Sequence, residues 1–434
     1  MEKYIAAGKI QKGKIMKNLL VCAALISSQL LFGAVKISVK ADRESYHYQS
    51  GEKVTFTVTA KDDDKALAGS KITLKLTYDG KTLISENSVV LDEKGQATVS
   101  GTLDKPGFLR LNAFLFHNKK RVSSVIGAGF DVEKITPAVP APEDFDKFWE
   151  NALKKEAAVK ADFKMEKLEK FSTAKSNAYK VSVAAPGGGR IYGTLRIPVS
   201  GKPVPMMVTV PGAGPNYASI PAEGNIAGLY ANVHKYDPLD PAKSTKQSYM
   251  EIAAKGHYMH KSYENLENNQ MYNSIIGINR LIECVAALPE IDGNKLIYSG
   301  SSQGGGFGII LAGLVPGRFK AVVSNVTALC DLNGFRAGRN SGWPVVNEKT
   351  PMSELSRKNM LYFDAANFAR RIKDADVTVI MGYADTTCAP TSTRAMYNNI
   401  PGSRKKLITI PHMGHQVWGD YIKAVKKIKA EIRK

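Results

Sequence analysis

Three residues of this chain, far apart in sequence but each set just beyond an apolar run, have the types needed for nucleophilic acyl chemistry. In KLIYSGSSQGGGFG, residues 295–308, Gly300-Ser301-Ser302-Gln303-Gly304 fits G-x-S-x-G, which makes Ser302 rather than Ser301 the central hydroxyl. Asp385 follows the apolar run in VTVIMGYADTTCAP, and His415 follows the one in KLITIPHMGHQVWGD. A neutral imidazole can take the serine proton while a carboxylate orients the ring and stabilises the cation that forms. His412 competes with His415, but the Met413-Gly414 turn and the longer reach from the strand favour His415. Asp374 and Asp376 precede their strand and fall at its wrong end, and a turn-capping role is the plain alternative for Asp385.

Such chemistry also needs donors for the oxyanion. The backbone N–H of Gln303, next after the nucleophile, is the first expected donor, and the loop PGAGPNY at 211–217 would supply the second through Ala213.

The elements that must position these groups are legible from periodicity. AYKVSVAA, RIYGTLRIP, VPMMVTVP, KLIYSG, FKAVVSN, DVTVIMG and KLITIP read as strands, several of them apolar on both faces, while 271–290 and 352–375 read as helices. Strand, glycine turn and helix around Ser302, with acid and base following in that order, predict an α/β-hydrolase over residues 143–434. Upstream, VKISVKA, EKVTFTVTA, SKITLKLTYDG, ENSVVLDEKGQATVSGTL, GFLRLNAFLF and KKRVSSVIGAGFDV alternate with period two between polar turns, predicting an all-beta, immunoglobulin-like sandwich over 35–133. Prolines 137, 140 and 142 make 134–142 an extended linker.

Residues 1–34 are lysine-rich and then apolar, with LLVCAALISSQLLFGA shorter than a membrane span needs, so they read as a secretory signal, with Met16 a candidate start. The expected location is therefore periplasmic or secreted. Cys22 lies too early in the apolar run for a lipidated cysteine. Cys284, Cys330 and Cys388 have spacings unlike a zinc site and make no disulfide framework. The formal charge of +20 comes from lysines scattered among acidic residues, with no nucleic-acid motif, so no nucleic-acid partner is expected.

PAPEDFDKFW, IDGNKLIYSGSSQGGG, VTALCDL at 326–332, GYADTTCAPTST and GHQ at 414–416 together resemble the acetyl xylan esterase and cephalosporin C deacetylase group, the seventh carbohydrate esterase family, over about residues 140–432. The resemblance implies ester hydrolysis by Ser302, Asp385 and His415, removal of acetyl groups from short xylo-oligosaccharides and other small acyl esters, no metal or cofactor, and a ring-like homo-oligomer. This chain departs from the group in two places: Pro211-Gly212-Ala213 stands where relatives carry histidine-glycine-tyrosine, and Gln416 replaces the glutamate of GHE. The added sandwich also lies outside the common catalytic unit. A peptidase of the prolyl-oligopeptidase type shares the triad order, and a noncatalytic carbohydrate-binding protein is the remaining alternative.

Overall fold

A computed structural model describes residues 35–215, 219–240, 249–250, 259, 262–417 and 419–433. The expected signal segment, residues 1–34 with Met16 and Cys22, lies outside the described residues. No helix among the described residues is long and apolar enough to cross a membrane.

An N-terminal β-rich domain precedes a mixed α/β domain. Its strands are β1 (Val35–Ala41), β2 (His47–Tyr48), β3 (Val54–Asp62), β4 (Lys65–Ala66), β5 (Lys71–Tyr78), β6 (Thr82–Val90), β7 (Gln96–Gly101), β8 (Gly107–His117) and β9 (Lys120–Phe130). One sheet is built on β3, which pairs with β1, β4 and β7; the other runs β2-β9-β8-β5-β6. Alternation explains the packing: Val54, Phe56, Val58 and Ala60 of β3 point inward against Leu109, Leu111, Ala113 and Leu115 of β8, all of them buried. The single stretch expected at 86–103 is divided between β6 and β7, which join different sheets, because Asp92 accepts the amides of Lys94 and Gln96 and closes a turn between them.

The second domain is a nine-stranded sheet in the order β10-β11-β12-β14-β13-β15-β16-β17-β18. Its strands are β10 (Lys164–Lys167), β11 (Ser176–Ala184), β12 (Arg190–Pro198), β13 (Val204–Thr209), β14 (Ala227–Ala231), β15 (Ile291–Ser301), β16 (Phe319–Asn325), β17 (Asp376–Gly382) and β18 (Lys405–Ile410). From β14 to β18 the neighbours are parallel, which places every loop that follows a strand at one edge of the sheet. Helices α1 (Phe145–Ala157), α2 (Gln270–Ala286), α3 (Gln303–Leu314), α4 (Glu354–Asn359), α5 (Ala365–Ala369), α6 (Pro390–Asn398) and α7 (Gly419–Glu431) accompany it. The aromatic residues of FDKFW are the anchor of α1: Phe145 and Trp149 are fully buried, and Trp149 Nε1 donates to Tyr362 O at 3.0 Å.

The helix expected over 352–375 is interrupted. Asp364 accepts the amides of Asp331 and Leu332 as well as Ala366, so its carboxylate caps α5 and clasps the VTALCDL segment at once. Asp331 in turn accepts from Ala138 N at 2.7 Å, tying the interdomain segment down. Strands β10 and β14 were not expected from the sequence; β14 is only five residues long, and β10 is the polar KMEK at the sheet edge.

The two domains share a small core of Phe108, Val132, Ile135, Met381, Tyr383 and Ala395. Around it, Gly127 N donates to Pro411 O at 2.9 Å, His47 Nε2 lies 2.7 Å from the Tyr383 hydroxyl, and Asp79 accepts from Asn340 N and from the Thr391 hydroxyl.

Glu156, buried at the end of α1 near Arg280 and Glu283, is pushed up to about 7, first by burial and then by the Glu283 charge. A carboxyl with a raised folded pKa takes up protons on folding; its favourable contribution is complete below the unfolded value and is lost as pH climbs through 7. Glu156→Gln should therefore flatten the decline in stability between pH 5 and 8, a difference on the order of 2 kcal/mol, measured as urea midpoints at both pH values.

Candidate active site

Ser302 occupies the junction between β15 and α3 with φ 57 and ψ −123, a conformation that costs an L-residue about 1–3 kcal/mol. The surrounding glycines make that turn sterically feasible. A Cβ at Gly300 would lie 2.5 Å from the Gly304 carbonyl carbon, and one at Gly304 only 2.0 Å from Val210 O. The backbone is then locked by hydrogen bonds: Ser302 N donates to Asn325 O at 2.9 Å, and Ser302 O accepts from Gly306 and Ala328. Ser301 is turned aside, its Oγ accepting from Asn325 Nδ2 at 3.1 Å.

The two partners reach this hydroxyl from the loops after β17 and β18, beyond β16 in the sheet. His415 Nε2 lies 3.0 Å from Ser302 Oγ, and its Nδ1 lies 2.8 Å from Asp385 Oδ2. A carboxylate only accepts, so Nδ1 carries the ring proton and Nε2 is left to accept from the serine. Asp385 is 2% exposed, whereas the His415 side chain is 27% exposed, which leaves the base open to incoming substrate and water. Asp385 Oδ1 accepts the amides of Thr387 and Cys388 at 2.8 and 2.9 Å. Turn capping and ring orientation thus occupy different oxygens of one carboxylate. His412 is exposed on the preceding turn, and it is His415 that bridges serine and acid.

The histidine loop is held by close backbone contact. Gly382 ends β17 against Met413, Ala384 N donates to Met413 O at 3.1 Å, and Asn325 Nδ2 donates to Gln416 O at 3.2 Å. Asn325, which bonds Ser301, Ser302 and Gln416, escaped the sequence reading; its position at the end of a buried strand was the available signal.

An open cleft of about 440 Å³ faces Ser302, lined by Thr209, Pro211, Gly212, Val326, His415 and Val417 among others. Gln303 begins α3, where an amide has no intrahelical acceptor. Gly212 abuts the nucleophile, its would-be Cβ 3.9 Å from Ser302 Cβ, and Ala213 is the exposed residue after it. Beneath this loop His234 is buried, pushed down to about 4 by burial, stacked on Tyr236 and in hydrogen-bonding contact with the Gly214 backbone.

Cys388 lies beside Asp385 and His415. Its sulfur, the Asp385 carboxylate and the His415 ring lie within 4.8 Å of one another. Burial holds the thiol well above its ordinary range, while Asp385 and His415 are engaged with each other through their hydrogen bond. Cys284, Cys330 and Cys388 are all free thiols.

The model of the acetyl xylan esterase (AXE1) family matches residues 131–431. The chain belongs to this family. An acetyl esterase of Xylanibacter ruminicola is 28% identical over 340 residues, 77% of this chain and 75% of that protein. The fold of the catalytic domain is similar to acetyl xylan esterase 1 of Thermoanaerobacterium sp., with a TM-score of 0.58 and 22% identity over 70% of this chain and 98% of that one. An acetyl xylan esterase of Paenibacillus sp. gives a TM-score of 0.58 and 21% identity over 69% and 98%. As a member of the acetyl xylan esterase family the chain is a carboxylic ester hydrolase of the serine type.

If close packing at Gly382 places the base, Gly382→Ala should disable this esterase, because the added Cβ would sit 1.9 Å from Met413 O. A displacement of the His415 loop by about 1 Å is expected to cost at least about 100-fold in kcat. Gly201→Ala, where a Cβ meets nothing within 4 Å, should leave kcat unchanged in the same assay.

Proposed function

We propose that this esterase removes acetyl groups from xylo-oligosaccharides or related acetylated carbohydrates, with Ser302 as nucleophile, His415 as general base and acid, and Asp385 as the residue that orients the imidazole. The observation that carries this reading is the His415 ring itself, bonded on one side to Asp385 at 2.8 Å and on the other to Ser302 at 3.0 Å.

His415 Nε2 takes the hydroxyl proton as Ser302 Oγ attacks the acetyl carbonyl carbon. The C=O electron pair moves onto oxygen, which the Gln303 N–H stabilises and, in this proposal, the Ala213 N–H as well. One such donor contributes about 3–4 kcal/mol to the transition state. The imidazolium then protonates the departing sugar oxygen as its bond to the acyl carbon breaks. Water, deprotonated by the same ring, attacks the acetyl-serine, and acetate leaves as Ser302 recovers its proton. The open cleft and the short loop of small residues at 211–213 suit an acyl group as small as acetyl.

The N-terminal domain reads as immunoglobulin-like from its paired antiparallel sheets, with short β2 running parallel to β9 at one edge. Export to the periplasm or beyond rests on the composition of residues 1–34, and homo-oligomerisation on the family resemblance alone.

Ser302→Ala should reduce hydrolysis of p-nitrophenyl acetate and release of acetate from acetylated xylo-oligosaccharides by at least about 10³-fold while leaving the thermal midpoint near wild type. Brief reaction of the wild type with p-nitrophenyl acetate at low pH should add one acetyl group to the Ser302 peptide by mass spectrometry. Acetate release undiminished in the alanine variant, or cleavage of aminoacyl-proline amides without deacetylation, would overturn the proposal.

A further inference from the structure

Asp385 and His415 sit on two loops that are tied to each other. Tyr383 N donates to Ile410 O at 3.3 Å and Ala384 N to Met413 O at 3.1 Å, so the acid and base segments can shift only together. Toward the nucleophile, the base loop is anchored through Gln416 O, which accepts from Asn325 Nδ2 at 3.2 Å. On the other side both loops meet the N-terminal domain.

That domain holds the acid loop before and after its carboxylate, and the base loop before its imidazole. His47, on β2, places Nε2 2.7 Å from the hydroxyl of Tyr383, just ahead of Asp385. Asp79, in the β5–β6 turn, accepts from the hydroxyl of Thr391, at the start of the helix that follows. Gly127, on β9, donates its amide to Pro411 O at 2.9 Å, just ahead of the histidine turn. The fit at Gly127 has no slack: a Cβ there would lie 2.5 Å from Tyr383 Cβ and 3.0 Å from Tyr383 O. Contact of backbone with backbone cannot be relieved by rotating a side chain.

Ser302 is placed differently, by its amide bond to Asn325 O and by the close packing of its own elbow. The 3.0 Å between His415 Nε2 and Ser302 Oγ therefore spans a group held by the central sheet and a group held in part by the sandwich. We propose that the N-terminal sandwich sets this distance, with Gly127 and His47 as positioning residues that act on ester hydrolysis through the acid and base loops. Neither touches the reacting atoms. Their effect is on the alignment of imidazole with hydroxyl, which the transition state requires and the binding of a small ester does not.

The proposal rests on the triad reading. That reading is tested separately by Ser302→Ala and by acetyl-serine formation, so a failure here leaves it standing. The measurement is kcat and KM on p-nitrophenyl acetate for the full chain carrying Gly127→Ala, His47→Ala, His47→Gln or Gly101→Ala, each checked by circular dichroism and thermal midpoint. Acylation and deacylation both use the His415 ring, so Gly127→Ala should lower kcat by about 10–100-fold with KM nearly unchanged. His47 is exposed, so His47→Ala removes its bond to Tyr383 without opening a core; kcat should fall several-fold, and His47→Gln, which can still bond the hydroxyl, should recover part of the loss. Gly101→Ala is the control for packing. Its Cβ would lie 2.8 Å from Leu109 Cδ2 and 3.0 Å from Leu76 Cδ1, inside the core of the sandwich, so it should lower the thermal midpoint and leave kcat unchanged. The proton on His415 Nδ1 should keep its far-downfield NMR signal in Gly127→Ala, because acid and base move as a pair. Wild-type kcat in folded Gly127→Ala, an equal loss of kcat in Gly101→Ala, or loss of that signal would overturn the proposal. If Gly127→Ala does not fold, an unchanged kcat in His47→Ala overturns it instead.

Discussion

The active site depends on one backbone constraint: an L-residue is held at positive φ where a buried strand turns into a buried helix. That conformation persists only because its surroundings leave no alternative. Gly300, Gly304 and Gly305 let the elbow press against itself, against Val210 and against Ser324, and the resulting contact directs the hydroxyl outward from an otherwise apolar layer. Everything the neighbouring loops do is to bring groups to that one fixed oxygen. The parallel order of β13 to β18 ensures that these loops share an edge, so chain segments more than a hundred residues apart meet at hydrogen-bonding distance.

How much of this could be read beforehand follows from which interactions are local. The elbow was legible because its requirements are local: an apolar run, glycines at fixed offsets and an apolar helix within fourteen residues. The strands carrying Asp385 and His415 were legible for the same reason, since burial on both faces leaves a continuous apolar signature. Asn325 was not, because its role depends on reaching Ser301 and Gln416 from a third strand. The break at Asp364 was hidden by a similar cause: helical periodicity continues through it, and only the distant amides of Asp331 and Leu332 give the carboxylate a reason to stop one helix and start another. Likewise, VTALCDL contributes to the family resemblance, and its aspartate, Asp331, acts as a clasp, accepting from Ala138 N and from Arg339.

Asp385 shows why a bland and a functional reading of a residue need not compete. An aspartate that caps its own turn is rigid, and rigidity is what an orienting acid requires. Because Oδ1 is spent on Thr387 and Cys388, Oδ2 has a single direction left, and that direction is the His415 ring. The capping bonds are part of the catalytic geometry, since without them the carboxylate would be free to rotate away from the base.

The position of the N-terminal domain follows from the same strand order. Ser302 rises from β15, which has strands on both sides and needs no outside support. Asp385 and His415 rise from β17 and β18, and β18 is the last strand of the sheet, with an open side and backbone paired to one neighbour only. A loop at such an edge is the part of the site most free to move. The sandwich meets the α/β domain at this edge: Gly127 bonds the residue after β18, His47 meets Tyr383 after β17, and Phe108 packs on the same tyrosine at 4.7 Å between ring centroids. Ser302 is therefore held by the sheet in which it lies, while the loops carrying Asp385 and His415 are held between that sheet and a second domain.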